Sequence, residues 1–430
     1  MQYDLAIIGA GWAGFNASLR AKKHGLKTVL IEKSVIGGTC LNHGCIPTKT
    51  LLQSAKILSL IKKSSYFGID TTAPKINVLK IQERKNNIIN QLRQGMQFML
   101  KGVDFLTEDA KFSSAQTLIA AGKTIDFKSA IIATGSKAIQ IKGLEFNNTN
   151  ILSSDQIIEL TELPASLLIV GAGVIGCEFA SLFSTIGTRV TLIEKMPRIL
   201  PAEDVDISKK LENIFKKKGI KILTGTDVFS LDLKAFEKIL ICVGRTSVSD
   251  RLGLEEIGIK TENNRIITND YLATSEQGIY AAGDCTARIM LAHFAAYQGT
   301  LAAENIANSG NPNEQNSAYV PNCIFTDPEI SSIGILEEEA KKKNIPIDVK
   351  KFDFLTSGMA RIFDETDGFI KLVSERDTGI LIGASIIGPR ATEIIATLTI
   401  AIQSKHTLEQ LRNIIIAHPT LSEILTEALK

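Results

Sequence analysis

The same supersecondary unit occurs twice in this chain. Near the start the sequence runs YDLAIIGAGWAGFNASLRAKKHGLKTVLIEK, and from position 165 it runs ASLLIVGAGVIGCEFASLFSTIGTRVTLIEK. Each copy reads as an apolar strand, a GAGxxG turn, a helix with small residues on its inner face, and a second apolar strand ending in LIEK. The glycines are Gly9, Gly11 and Gly14 in the first copy and Gly171, Gly173 and Gly176 in the second; the closing acids are Glu32 and Glu194. In such a unit the first glycine permits the tight turn, the second lets backbone approach a pyrophosphate, and the third lets helix and strand pack closely. The pyrophosphate sits on unpaired N–H groups at the positive end of the helix dipole, and the acid accepts from the ribose hydroxyls. A lone GxGxxG is weak, but one framed by strand, helix, strand and acid is strong, and two in one chain outweigh the alternative of ordinary glycine turns. Two dinucleotide sites imply two dinucleotides, with hydride exchange between them as the economical reason to have both.

Each unit has a later apolar strand ending in glycine. SAIIATGS carries Ala133, Thr134 and Gly135, and KILICVGR carries Val243, Gly244 and Arg245. A third, GIYAAGD, ends at Gly283 and Asp284, placing a carboxylate at a strand's C-terminal end, where ligands of open α/β sheets gather. The alternative for Asp284 is a cap on the next helix.

At 430 residues the chain is long enough for roughly three domains. A formal net charge of +2 gives no reason to expect nucleic acid or an anionic membrane as partner. No uncharged apolar stretch reaches the ~18 residues of a membrane span. The N-terminus runs straight into a strand and glycine turn, with no leader pattern, so a cytoplasmic protein is expected.

Six cysteines spread over this length do not make a disulfide scaffold, and in a reducing compartment a surviving disulfide is usually catalytic. Cys40 and Cys45, in GGTCLNHGCIPTKTLL, stand out; Cys177, Cys242, Cys285 and Cys323 read as small buried hydrophobes. The pair precedes a helix-like run, and a helix N-terminus favours thiolate. A zinc half-site is the rival reading, but no second CxxC or HxxxH pair completes it. Near the C-terminus, His418-Pro-Thr-Leu-Ser-Glu423 offers a base of near-neutral pKa with a carboxylate to fix its tautomer.

GGTCLNHGCIPTK resembles the active-site motif of the pyridine nucleotide–disulfide oxidoreductase family, and HPTLSE resembles its catalytic HPTxSE. The resemblance spans essentially the whole chain and is greatest to the dihydrolipoamide dehydrogenase branch. It implies FAD and NAD as cofactors, Cys40 as the thiol that exchanges with substrate, Cys45 as the thiol against the flavin, and His418 with Glu423 as base and partner acid. Lys49 and Glu178 match a lysine–glutamate pair beside the flavin, which fits the need of a buried lysine for a carboxylate. FAD contacts are implied at Gly9, Gly11, Gly14, Glu32, Lys33, Gly38, Thr39, Lys49, Ala110, Thr134, Gly135, Asp284, Leu291, Ala292 and His293. NAD contacts are implied at Gly171, Gly173, Val174, Ile175, Gly176, Glu194, Val228 and Gly244. No residue is assigned to a metal.

The expected fold is α/β. Two Rossmann-like dinucleotide-binding domains, for FAD (1–137, completed by 265–307) and NAD (138–264), precede a C-terminal α+β dimerisation domain (318–430). A linker at 308–317 marks the last boundary. The helix ATEIIATLTIAIQS shows no obvious partner within its own domain and suits a subunit interface. The family's homodimer would bring His418 to the partner's cysteines, and a lipoyl-bearing protein of a 2-oxoacid dehydrogenase or glycine cleavage complex would present the substrate. A non-catalytic structural subunit is the alternative of a different class. Three features depart from the family: the stretch 224–242 is short for the usual three-stranded meander, Thr246-Ser247-Val248 replaces a proline–asparagine after Arg245, and the C-terminus closely follows Glu423. They leave the outer wall of the NAD site open to question.

Overall fold

The computed structural model describes residues 2–430. Three sheets organise it. In the first, Asp104–Thr107, Thr28–Glu32, Gln2–Ile8 and Lys123–Ile132 run parallel in that order, and Ile279–Ala281 adds in parallel to Lys123–Ile132. The antiparallel strands Thr117–Ala120 and Ala110–Ser114 extend the sheet beyond Lys123–Ile132. The apolar run of Gln2–Ile8 is continuous rather than alternating because both faces of a parallel sheet are covered; Leu5, Ala6 and Ile7 are all fully buried. Helices Trp12–Lys23 and Ala292–Ala307 pack against each other. They meet closely enough that a Cβ on Gly299 would lie 2.0 Å from the Ala13 carbonyl.

The second sheet is wholly parallel, in the order Lys221–Leu223, Arg189–Ile193, Ser166–Val170, Lys238–Ile241, Ile151–Ser153. Between Lys221–Leu223 and Lys238–Ile241 the short stretch makes two 3-10 turns, Val228–Ser230 and Leu233–Ala235. Asp227 and Asp232 cap them by accepting from the amides of Phe229 and Lys234 at 2.9 and 3.1 Å. Two side-chain caps therefore hold the short connection. A small antiparallel pair, Ser136–Ala138 with Arg245–Ser247, joins the two dinucleotide units.

The third sheet is antiparallel: Asn322–Ile324, Glu329–Gly334, Leu381–Gly388, Phe369–Glu375, Ile347–Asp353. Here the structure corrects one expectation. Helix Ala391–Gln403 does have a partner in its own domain, for Ile394, Ile395, Leu398, Ala401 and Ile402 are buried in the core shared with this sheet. Only the opposite side, with Ile400 at 64% exposure, faces outward. Residues 308–317 are likewise tied down: Asn305 donates to the Asn313 carbonyl and Gln298 to the Gln315 side chain. A buried cluster clamps the second unit to the third sheet. Lys371, 4% exposed in its side chain, reaches Asp204, Asp206 and Glu337 at 2.8–2.9 Å. No helix among the described residues is long and apolar enough to cross a membrane.

Candidate active site

The two glycine turns are built alike. Gly9 and Gly171 have φ of +101° and +97°, and a Cβ on either would fall 2.3 or 2.5 Å from a carbonyl oxygen of the neighbouring strand, Ala133 or Cys242. Only glycine fits there. A Cβ on Gly14 or Gly176 would lie 1.8 or 1.9 Å from the carbonyl oxygen of the turn's own first glycine. The acids are fixed in the same way: Glu32 accepts from the amides of Ala10 and Ser34 at 2.8 and 2.9 Å, and Glu194 from those of Ala172 and Met196 at 2.7 and 2.8 Å. Helices Trp12–Lys23 and Val174–Thr185 start at Gly11 and Gly173 with no side-chain cap and no acid in the first turn. A Cβ on Gly173 would meet nothing within 4 Å. Both helix starts thus offer unpaired amides, with open space at Gly173 and with the Gly38 backbone 3.9 Å from a Cβ on Gly11, which fits a pyrophosphate at each.

The cysteine segment lies against the first turn. Gly37 and Gly38, at φ +101° and +56°, start the short helix Gly38–Asn42 that carries Cys40; the Gly37 amide donates to the Ala10 carbonyl at 2.8 Å, and a Cβ on Gly38 would lie 2.7 Å from the Gly11 Cα. Cys45 is the first residue of helix Cys45–Lys62. Both thiols are free and interact directly. The Cys40 thiol donates to Cys45, which raises the Cys40 pKa, further helped by burial. That hydrogen bond is also the largest influence on Cys45, whose pKa falls to about 7 with help from Lys49 and against burial and Glu178. The first proton of the pair therefore leaves Cys45.

Lys49 follows Cys45 by one helical turn. Its Nζ bonds both carboxylate oxygens of Glu178 at 2.9 and 2.8 Å. Glu178 is buried, and its Oε1 also accepts from the Phe325 amide at 2.9 Å. Lys49 Nζ stands 4.7 Å from the centre of the Phe325 ring. One lysine N–H remains for a further acceptor.

Asp284 accepts from Ser136 Oγ at 2.6 Å, and Arg245 Nε donates to the same Oγ at 2.8 Å. Arg245 Nη2 also donates to the Ser136 carbonyl at 2.8 Å and reaches Thr39 Oγ1 at 3.5 Å. Thr134 Oγ1 donates to the Val248 carbonyl, and Ser247 Oγ to that of Asp284. Cys40's neighbour Thr39, the strand end at Gly135 and Asp284 thus form one network with Arg245. Ser136 was not singled out from sequence; its one signal was its place directly after the Thr-Gly turn.

Leu291 and Ala292 open helix Ala292–Ala307, and His293 Nε2 contacts the Pro321 carbonyl at 3.0 Å; burial lowers its pKa. Val174 and Ile175 form the first turn of the second glycine-turn helix, and Gly244 has φ +122° beside the strand end. Lys33 is exposed after the first acid, and Ala110 starts the antiparallel strand Ala110–Ser114, half-buried. The Val228 side chain points elsewhere: it is buried with Leu168, Val170 and Ile241 in the core, so only its backbone is left for a ligand.

His418 Nδ1 and Glu423 Oε1 are 2.8 Å apart, and Glu423 Oε2 accepts from the Thr420 amide at 2.8 Å. That amide is the largest cause of the lowered Glu423 pKa, followed by His418. The His418 side chain is 81% exposed and Ile415 beside it 98%. Within one chain, then, the histidine is presented outward and not folded onto the half-buried cysteines.

Comparison with known proteins agrees with this geometry. Residues 3–299 match the family described as pyridine nucleotide-disulphide oxidoreductase, and residues 320–429 match its dimerisation domain, which supports a homodimer. The chain is 37% identical to a dihydrolipoyl dehydrogenase of Bacillus subtilis, covering 99% of this chain and 97% of the relative. It is 36% identical to a dihydrolipoyl dehydrogenase of Chlamydia pneumoniae over 99% and 96%. Among solved structures, the HOCl-induced flavoprotein disulfide reductase RclA from Escherichia coli superposes with a TM-score of 0.89 at 27% identity, covering 99% of each chain. Two glycine turns, a cysteine pair between them and a matching dimerisation domain converge on one conclusion: the chain belongs to the pyridine nucleotide–disulphide oxidoreductase family, as a flavoenzyme that binds FAD and a nicotinamide dinucleotide.

Proposed function

We propose that the enzyme oxidises protein-bound dihydrolipoyl groups to lipoyl disulfide with NAD+ as acceptor. The observation that carries this reading is the cysteine pair itself: Cys45, at a helix start, has its pKa drawn down to about 7 by the Cys40 thiol and by Lys49, which Glu178 holds in place. Whole-length relatives named dihydrolipoyl dehydrogenase support the substrate. In this reading residues 1–137 with 265–307 hold FAD, 138–264 hold NAD, and 318–430 pair the subunits.

His418 of the partner subunit takes a proton from one substrate thiol, with Glu423 holding the ring and offsetting its charge. The substrate thiolate attacks Cys40 Sγ. The Cys40–Cys45 bond breaks, and Cys45 leaves as the thiolate that its surroundings favour. As the second substrate thiol attacks the substrate sulfur of the mixed disulfide, His418 gives its first proton to the leaving Cys40 and takes up the proton of that second thiol. The substrate has then lost two electrons and two protons, and the enzyme holds Cys40 as thiol, Cys45 as thiolate and one proton on His418. Bound FAD supplies the two-electron relay from that dithiol to hydride chemistry at the nicotinamide. Lys49 keeps a compensating positive charge beside Cys45, and Glu32 and Glu194 offer acceptors to the two adenosine riboses.

The test is a steady-state panel of dihydrolipoamide, glutathione disulfide and other small disulfides with NAD(H) and NADP(H). Dihydrolipoamide with NAD+ should give the highest kcat/KM. A small disulfide turned over far better would instead favour a reductase resembling the structural neighbour RclA in role.

A further inference from the structure

The segment that carries the two cysteines is pinned from a distant helix. Asn42 lies between Cys40 and Cys45 and is 3% exposed. Its Nδ2 donates to the Ile36 carbonyl at 3.0 Å and to the Gly38 carbonyl at 2.9 Å, which uses both of its N–H groups. Its Oδ1 accepts a charge-assisted bond from Arg93 Nε at 2.6 Å. Arg93 belongs to helix Val78–Met99, which packs against both helix Gly38–Asn42, the carrier of Cys40, and helix Cys45–Lys62. Arg84 of the same long helix donates to the Thr50 carbonyl of helix Cys45–Lys62 at 3.3 Å. The two arginines flank a buried stripe of Lys85, Ile89 and Met96, so one helix holds both of the helices that bear the cysteines. Between those two the chain turns tightly at Gly44, where a Cβ would lie 3.1 Å from the Thr39 carbonyl oxygen and 3.4 Å from the Cys40 Cα.

Resting on the redox pair proposed above, we infer that Arg93 is a positioning residue for the Cys40–Cys45 disulfide. It acts through Asn42, which holds the Cys40 helix in place against the start of the Cys45 helix. Two thiols close a disulfide more readily the less freedom the chain between them has left to lose. A segment ordered in advance therefore favours the disulfide and lowers its reduction potential. Without Arg93 Nε, the buried Asn42 Oδ1 loses the donor bonded to it, which is costly. The relief open to Asn42 is to turn outward, and that releases its hold on Ile36 and Gly38. Because the partner is a neutral amide, the effect belongs to a donor at the Nε position and not to the guanidinium charge.

The test is the thiol–disulfide equilibrium of FAD-loaded protein against dithiothreitol, anaerobically and without nicotinamide. Two electrons and two protons pass from the dithiothreitol thiols to the Cys40–Cys45 disulfide, and dithiothreitol closes its own ring disulfide. Acid quenching, alkylation and mass spectrometry of the peptide that carries both cysteines give the equilibrium constant. Arg93→Met keeps the stem as far as the Nε position but has no donor there. It should raise the constant for reduction about tenfold, a potential about 30 mV more positive. Arg93→Gln sets an amide N–H at the same position without charge and should stay within about twofold of the wild type. Arg93→Glu, a good helix former, sets an acceptor there and should shift at least as far as Arg93→Met, so it decides the matter if the methionine variant loses FAD. A constant equal to that of the wild type in Arg93→Met or Arg93→Glu, or one in Arg93→Gln shifted as far as in Arg93→Met, overturns the inference. A wild type whose Cys40 and Cys45 form no disulfide at any ratio of oxidised to reduced dithiothreitol overturns the redox pair itself, whereas a titrating pair indifferent to position 93 leaves that reading untouched.

Discussion

Removing the Cys40 thiol should return Cys45 to ordinary thiol behaviour. A thiol of pKa 9 is about 1% ionised at pH 7, whereas one of pKa about 7 is about half ionised, so the site holds roughly fiftyfold more thiolate than an unperturbed cysteine. The largest contribution is the hydrogen bond from Cys40; Lys49 adds to it, and burial and Glu178 oppose it. In Cys40→Ala burial and Glu178 still oppose ionisation while the main favourable influence is gone. The expected midpoint for Cys45 alkylation in the reduced holoenzyme therefore climbs from near 7 to 9 or above, and the thiolate fraction at pH 7, which sets the rate, drops about fiftyfold or more. The assay is stopped-flow reaction with iodoacetamide across pH 5.5–10, about the span needed to bracket both values, with Cys45 occupancy read by mass spectrometry. The sign carries over to stability. A lowered pKa contributes stability that is fully present above the unfolded value near 9 and lost as the pH falls through about 7. Thermal stability of the reduced wild type should thus rise with pH across that window, and Cys40→Ala should flatten the rise. If the Cys45 midpoint in Cys40→Ala stayed near 7, the Cys40 hydrogen bond would not be the cause, and the roles of the two sulfurs would have to be reassigned.

Three further outcomes are expected. His418→Gln should lose about 10²–10⁴ in dihydrolipoamide turnover while retaining FAD and NADH oxidation by artificial acceptors; loss of FAD as well would make the histidine structural. NAD should be preferred over NADP in kcat/KM by about tenfold or more, because Glu194 would meet a 2′-phosphate as a like charge, and Glu194→Ser should narrow the gap; equal values for the wild type would remove that role. Lys371→Met should cost about 3–5 kcal/mol in denaturant unfolding, since it strands Asp204 and leaves Asp206 and Glu337 without their shared cation; a loss below about 1 kcal/mol would mean that solvent reaches the cluster.

The dinucleotide units were legible in the sequence because their requirements are local. A turn that only glycine can make, an acid at a fixed interval and two cysteines separated by four residues are set within one stretch of chain by sterics and helix geometry. The apolar helix Ala391–Gln403 was harder to read. Hydrophobicity shows that such a helix must be covered, but whether its own sheet or another subunit covers it depends on strands elsewhere in the chain.

Most of what makes the site reactive lies between residues far apart in sequence. Lys49 and Glu178 were matched by motif, but their double hydrogen bond spans 129 positions and is set by how two helices pack. Ser136, Arg245 and Asp284 come from three separate segments. His418 carries a motif, yet its 81% exposure follows from the way its domain folds. The turns, the cofactor class and the chemistry of the cysteine pair were set along the chain, because those depend on neighbouring residues. The packing of distant segments decided what holds the lysine and where the base points, because each depends on burial and on partners that only the folded chain brings together.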